Sequence, residues 1–175
     1  IFAIINIGNK GIIKGISIEN IDVSNMTIEE ATNLLEEIIN KDKENEIIFK
    51  YKEVEIPITY EALEVEFNIK DVVEKAYKIG RDSNILKNNF EILSTWINTT
   101  NIKLTSNFDE NVVKQVCENI NNTSEDAIIE PSYYIEDDKL IITPGKKGIN
   151  VNQNEVKNKV NNILNINSEK STVIE

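Results

Sequence analysis

The 175-residue chain contains no histidine, a single cysteine, three prolines and six glycines. Without histidine, the commonest general base, the Ser-His and Cys-His nucleophile pairs and the usual zinc ligand set are all excluded. One cysteine, Cys117, permits neither an internal disulfide nor a multi-cysteine metal site. It falls on the apolar stripe of a predicted helix and is expected as a small buried hydrophobe rather than a reactive thiol. Cations are scarce as well: 19 Lys and Arg against 30 Asp and Glu leave a net charge of −11. That is the wrong sign for a chain that binds nucleic-acid phosphates. No run approaches the ~20 apolar residues of a membrane-spanning helix, so no membrane contact by this chain is expected. The first residues, Ile1-Phe2-Ala3-Ile4-Ile5, read either as the tail of a signal anchor or as a first strand, and a start at Ile rather than Met suggests a piece of a longer protein.

What remains is a foldable composition, 40% hydrophobic and 28% charged, unlike that of a disordered segment. It also repeats itself. Ile56 to Tyr77 lies without a gap on Leu140 to Asn161, with apolar residues coinciding at Ile56/Leu140, Ile58/Ile142, Val65/Ile149, Phe67/Val151 and Val72/Val156. Thr59/Thr143 and Asn68/Asn152 are identical. Upstream, Ser24 to Thr27 lies on Ser106 to Asp109, and Ala31, Leu34, Leu35 and Ile38 lie on Val113, Val116, Cys117 and Ile120. One module written twice is the expectation.

Local signals give each copy the order strand, helix, hairpin, helix. Ile12 to Ile18 and Ile21 to Val23 read as a broken strand. Thr27-Ile28-Glu29-Glu30 fits a capping box ahead of a helix running through Asn40. Glu46 to Tyr51 and Val54 to Thr59 predict a hairpin around Lys52-Glu53, with Pro57 restricting its strand to an edge or an end. Asn68 is expected to cap a helix that stops at Gly80. In the second copy, strand material from Phe90 to Leu104 precedes a helix over about Asp109 to Asn121. A hairpin around Asp137-Asp138 follows, then a helix capped by Asn152 and a strand at Ser171 to Ile174. The fold class is α+β, two related units over 1–90 and 91–175, each with helices packed on a mostly antiparallel sheet. The joint falls between Arg81 and Thr100, with no flexible linker to mark it.

Candidate chemistry is thin. The carboxylates have structural explanations: Glu29 and Glu30 in a first helical turn, Glu36 and Glu37 on a solvated face, Asp137-Asp138 at a hairpin tip. No Asp-rich calcium loop, G-x-S-x-G elbow or S-x-x-K arrangement occurs, and Gly145-Lys146-Lys147-Gly148 reads as a turn rather than a phosphate cradle. No metal and no cofactor are expected, and no enzyme. The residues left for ligand binding are Tyr60, Trp96, Tyr133 and Tyr134, whose rings could stack on sugars, and Arg81, which could hold a carboxylate. For each ring, core packing is the competing role, as it is for Tyr77. For Arg81 it is service to the carbonyls at a helix end.

Gly15-Ile16-Ser17-Ile18, then Ile21 to Ser24 and Thr27-Ile28-Glu29-Glu30-Ala31, resemble the opening of the YoaR-like peptidoglycan-binding domain. Ala76-Tyr77-Lys78-Ile79-Gly80-Arg81 resembles that family's A-x-x-x-G-R segment, and Thr143-Pro144-Gly145-Lys146-Lys147-Gly148 resembles its second unit. The resemblance implies a non-catalytic, cell-wall-binding module on the extracellular face of the envelope, tethered by an N-terminal membrane anchor. It further implies a place ahead of a VanW-type domain, of the kind found in vancomycin-resistance-associated proteins, or ahead of an L,D-transpeptidase domain. Two other readings stand beside it: a spacer or protein-interaction module with no glycan ligand, and an acid-based hydrolase.

Overall fold

A computed structural model describes residues 8–164, 166 and 171–174; the run Ile1 to Ile5 lies outside the described residues. The strands are β1 (Ile16–Ile18), β2 (Ile21–Asp22), β3 (Glu46–Tyr51), β4 (Val54–Thr59), β5 (Glu66–Phe67), β6 (Thr100–Ile102), β7 (Ser106–Asn107), β8 (Ser132–Glu136), β9 (Lys139–Thr143) and β10 (Ser171–Ile174). Five helices are found among the described residues: α1 (Ile28–Asp42), α2 (Ile69–Lys78), α3 (Ile85–Ile97), α4 (Glu110–Thr123) and α5 (Gln153–Ile163). The class is α+β. Among the described residues four of the six strand pairings are antiparallel, and the parallel ones are β1 with β6 and β10 with β3.

The chain forms two compact units. One takes its described residues from Ile1–Lys43, Glu66–Asn107 and Asn165–Asn167, and the other from Glu44–Val65, Phe108–Leu164 and Ser168–Glu175. The cuts fall after Lys43, Val65 and Asn107, so each unit is assembled from separated segments and not from one continuous half of the chain. Of the two matching stretches, Ile56 to Tyr77 passes from one unit into the other, while Leu140 to Asn161 stays within one.

In the first unit, β2-β1-β6 form a sheet whose Ile16, Ile18 and Ile102 join Ala31 and Leu35 of α1, Val72, Val73 and Ala76 of α2 and Ile92 of α3 in one core. Burying each such aliphatic side chain is worth about 1.5–3 kcal/mol. The start of α1 is fixed by the capping box, with the Glu30 N–H donating to Thr27 Oγ1 at 3.2 Å and the Thr27 N–H donating to Glu30 Oε2 at 2.8 Å. At α2, Asn68 holds the N-cap position without a side-chain cap bond. Its Oδ1 instead accepts the Thr105 N–H at 2.8 Å, tying the β5–β7 pair to the helix entry. After α2 the chain turns at Gly80, φ +74°, a left-handed conformation that glycine adopts without steric cost.

The strand expected from Phe90 is a helix. Asn84 caps it, its Oδ1 accepting the Lys87 N–H at 2.9 Å, and no Gly or Pro interrupts the run to Ile97. β-branched Ile85, Ile92, Thr95 and Ile97 suggest a strand, but cap and continuity outweigh that weak preference. Strand structure is confined to β6.

The second unit centres on β10-β3-β4, with β4 and its Pro57 at the edge. Ile47 and Phe49 of β3 pack with Val113, Val116, Cys117 and Ile120 of α4 and Val160 of α5. Cys117 is fully buried, and burial pushes its thiol pKa up. The β8–β9 hairpin turns through Asp137 and Asp138, both at positive φ.

Candidate functional site

A cavity of about 820 Å³ opens in the first unit, within the usual size range of small-molecule clefts. Three segments build it. Gly15 to Ser17 carry the chain into β1, Asn20 to Asn25 return it through β2, and Thr95, Trp96 and Thr99 come from the end of α3 and the turn behind it. The segments are held by specific bonds. Thr100 N–H donates to the Gly15 carbonyl at 2.8 Å, which starts the β1–β6 ladder. Gly15 N–H donates to Ser24 Oγ at 2.9 Å, closing the two arms of the β1–β2 turn. The tip of that turn is clamped by an amide pair: Asn20 N–H donates to Asn101 Oδ1 at 2.9 Å, and Asn101 Nδ2 donates back to Asn20 Oδ1 at 2.8 Å. Glu19, beside it, accepts the Leu104 N–H and the Lys103 ammonium.

The lining combines the half-exposed Trp96 indole with Ser17, Asn20, Ser24, Asn25 and Thr99, side chains that donate and accept hydrogen bonds without carrying charge. An aromatic face beside amide and hydroxyl groups suits a polyol ring, which is apolar on its C–H face and hydroxylated at its edge. Two charged residues also line it, Lys14 and Asp22, and Asp22 is the one carboxylate. The Ser24 hydroxyl and then the Ser24 N–H hold it below the usual Asp range, so it is ionised and acts as an acceptor. A glycosidase needs a second acid and one with a raised pKa, and this lining supplies neither. Among the described residues no group of His, Cys, Asp and Glu could hold a metal ion.

The other candidate residues fall into different places. Tyr60 is only 4% exposed and belongs to the second unit's core, so its ring offers no face to a ligand: it follows Thr59 at the end of β4, and the chain folds back over it, Val65 N–H bonding to its carbonyl. Tyr133 and Tyr134 are exposed on β8, pointing to opposite faces of the hairpin, where they pair with Ile142 and Ile141. Arg81 is committed to the backbone. Its Nη1 donates to the Tyr77 carbonyl at 2.6 Å, and its Nη2 donates to the carbonyls of Gly11 at 2.6 Å and Asn9 at 3.1 Å. Its guanidinium lies 4.1 Å from the Tyr77 ring centre, and burial lowers its pKa. The structure therefore brings Trp96, alone of the five, into the cavity. The remaining lining residues escape a sequence reading because they come from parts of the chain some 70 residues apart, brought together by the parallel β1–β6 pairing and the side-chain bonds beside it; the one local signal is Gly15 between isoleucine-rich flanks.

The sequence profile of a family described as "Putative peptidoglycan binding domain" matches residues 56–172. The chain belongs to this family. The matched span contains both Ala76 to Arg81 and Thr143 to Gly148, together with Trp96 and the β8–β9 hairpin, whereas Gly15 to Ala31 lie before it. No curated protein and no solved structure gives a significant match. Family membership supports a role in binding the cell wall.

Proposed function

We propose that the chain is a non-catalytic module that binds peptidoglycan through the groove carrying Trp96. It would act on the outer side of the cytoplasmic membrane and hold an adjoining VanW-type or L,D-transpeptidase domain against its polymeric substrate. Membership in the peptidoglycan-binding family carries the reading; the groove's chemistry, one indole amid hydroxyl and amide side chains with Lys14 and Asp22 as its charged members, supports assigning the glycan to it. Tyr133 and Tyr134, exposed on the hairpin, are a second place where sugar rings could stack. The internal match of Ile56 to Tyr77 with Leu140 to Asn161 is read as the trace of a duplicated module, with 1–90 and 91–175 as its copies.

Co-sedimentation with purified sacculi tests this. Wild type should pellet with sacculi. Trp96→Ala should weaken the affinity by up to about tenfold, the ~0.5–1.5 kcal/mol that an aromatic contact contributes beyond area, with no change in melting temperature. Tyr133→Ala with Tyr134→Ala assigns any remainder to the hairpin. Wild type that stays in the supernatant ends the glycan reading and leaves the spacer reading in its place.

A further inference from the structure

Helix α3 is amphipathic the wrong way round. Its buried positions are Asn88, Ile92 and Thr95, and two of these three are polar. Asn88 satisfies itself on the segment before the helix, accepting the Ser83 N–H at 3.0 Å and donating to the Ser83 carbonyl at 2.8 Å, and the Thr95 hydroxyl donates to the Ile92 carbonyl at 3.0 Å. On the opposite face, Leu86, Phe90, Leu93 and Ile97 recur at spacings of four, three and four, which at 100° per residue forms one straight ridge. They are 83, 72, 41 and 81% exposed. A contiguous ridge of this kind exposes several hundred Å², the range in which an apolar patch marks an interface.

We propose that this ridge is the contact through which two copies of the chain form an antiparallel, two-fold dimer. The ridge is self-complementary under a two-fold axis passing between Phe90 and Leu93. Leu86 then meets Ile97 of the partner subunit, and Phe90 meets Leu93 of the partner subunit, so each half of the ridge covers the other. The helix ends agree with this direction. Among the described helices α3 is the one with neither an acidic residue in its first turn nor a basic residue in its last. Its macrodipole meets no compensating side-chain charge in its own end turns, and an antiparallel partner places a C-terminal end beside each N-terminal end. The charges of the helix, Lys87 and Glu91, lie together off the ridge, 3.9 Å apart. Trp96 also lies off the ridge, so dimerisation and the groove are separable. The several hundred Å² that the ridge exposes is less than the ~800 Å² per partner of a standard interface, so the dimer must also enlist surface flanking α3.

Because each copy carries a net charge of −11, the contact works against repulsion, and added salt should strengthen it by shortening the Debye length from about 10 Å at 0.1 M to about 3 Å at 1 M. The test is sedimentation equilibrium across protein concentration and salt. Expected is a species of twice the 19.9 kDa chain mass, gaining population at higher salt. Phe90→Glu and Leu86→Glu should be monomeric, each with unchanged circular dichroism and sacculus binding. Cysteine cross-linking fixes the direction: Leu86→Cys mixed with Ile97→Cys should give disulfide-linked dimers, and Leu86→Cys alone should not. Wild type that is monomeric at every concentration and salt overturns the proposal, including the case where the ridge takes up lipid vesicles or another protein. Efficient cross-linking of Leu86→Cys to itself overturns the antiparallel arrangement.

Discussion

Gly15 and Thr95 meet backbone to backbone. A Cβ placed on Gly15 would stand 2.0 Å from the Thr95 carbonyl oxygen, and Gly15 itself holds φ +87°. The end of α3 can therefore close on the start of β1, which sets the width of the groove. Gly15→Ala should cost about 2–5 kcal/mol, the sum of a left-handed conformation for a non-glycine residue and overpacking against rigid backbone. Urea denaturation reads the loss, and an unchanged midpoint would show that the two segments do not approach so closely in solution.

Arg81 gives a second prediction, because its guanidinium spans three carbonyls and a tyrosine ring. Arg81→Ala should lower stability by about 2 kcal/mol, in line with charged hydrogen bonds, and leave sacculus binding per folded molecule unchanged. Arg81→Lys should recover little, since one ammonium cannot reproduce a planar fork. A binding defect with an unaltered melting temperature would return Arg81 to the ligand site.

Asn68 and Asn152 both stand at helix N-caps but bond differently. Asn152 Oδ1 accepts from the N–H groups of Asn154 and Glu155, at 3.1 and 3.4 Å, whereas Asn68 Oδ1 reaches Thr105. Alanine at either position should cost about 1 kcal/mol. Serine should restore Asn152, since a hydroxyl caps as well as an amide, and should not restore Asn68, whose partner lies on another segment. Equal rescue at both sites would mean that Asn68 caps its own helix in solution.

Asp126 links the tip of the β3–β4 hairpin to the segment ahead of β8, accepting bonds from Lys52 and from the Tyr51 hydroxyl, the latter at 3.0 Å. The Lys52 bond first, then the Tyr51 bond, hold its pKa below the ordinary Asp value. The folded state therefore binds fewer protons than the unfolded state. Its contribution is complete above the unfolded pKa of about 3.9 and disappears as pH falls through the lowered folded value. Wild type should exceed Asp126→Asn in urea midpoint at pH 7, and the two should converge in acid. A constant difference across that range would assign the effect to packing instead of charge.

What could be read in the sequence was what neighbours in the chain decide. The Thr27 capping box, the Asn152 cap, the hairpin tips at Lys52-Glu53 and Asp137-Asp138, the edge position of Pro57 and the burial of Cys117 all rest on residues within a few positions of one another. Helix α3 is not legible in the sequence because its apolar residues face outward and its buried face carries Asn88 and Thr95, so its hydrophobic pattern does not report its core. The groove was hidden for another reason. Lys14 to Asn25 and Thr95 to Thr99 become neighbours only when β1 pairs with β6, and no local preference encodes that partnership. Tyr60 likewise looks available until the chain folding back through Leu63 and Val65 covers it.

The pairing of β3 with β10 delays completion of its sheet until β10 has been synthesised. β3 is the middle strand of its sheet, yet one of its two neighbours is the last described strand of the chain. At about 5–20 residues per second, a ribosome that has finished β4 needs on the order of ten seconds to deliver Ser171 to Ile174. Throughout that interval Ile47 and Phe49 sit in a hairpin with one open edge, the kind of edge that recruits strands from other molecules. Export of the chain as an unfolded thread, completed before this sheet can close, would keep that edge from ever waiting in a crowded cytoplasm.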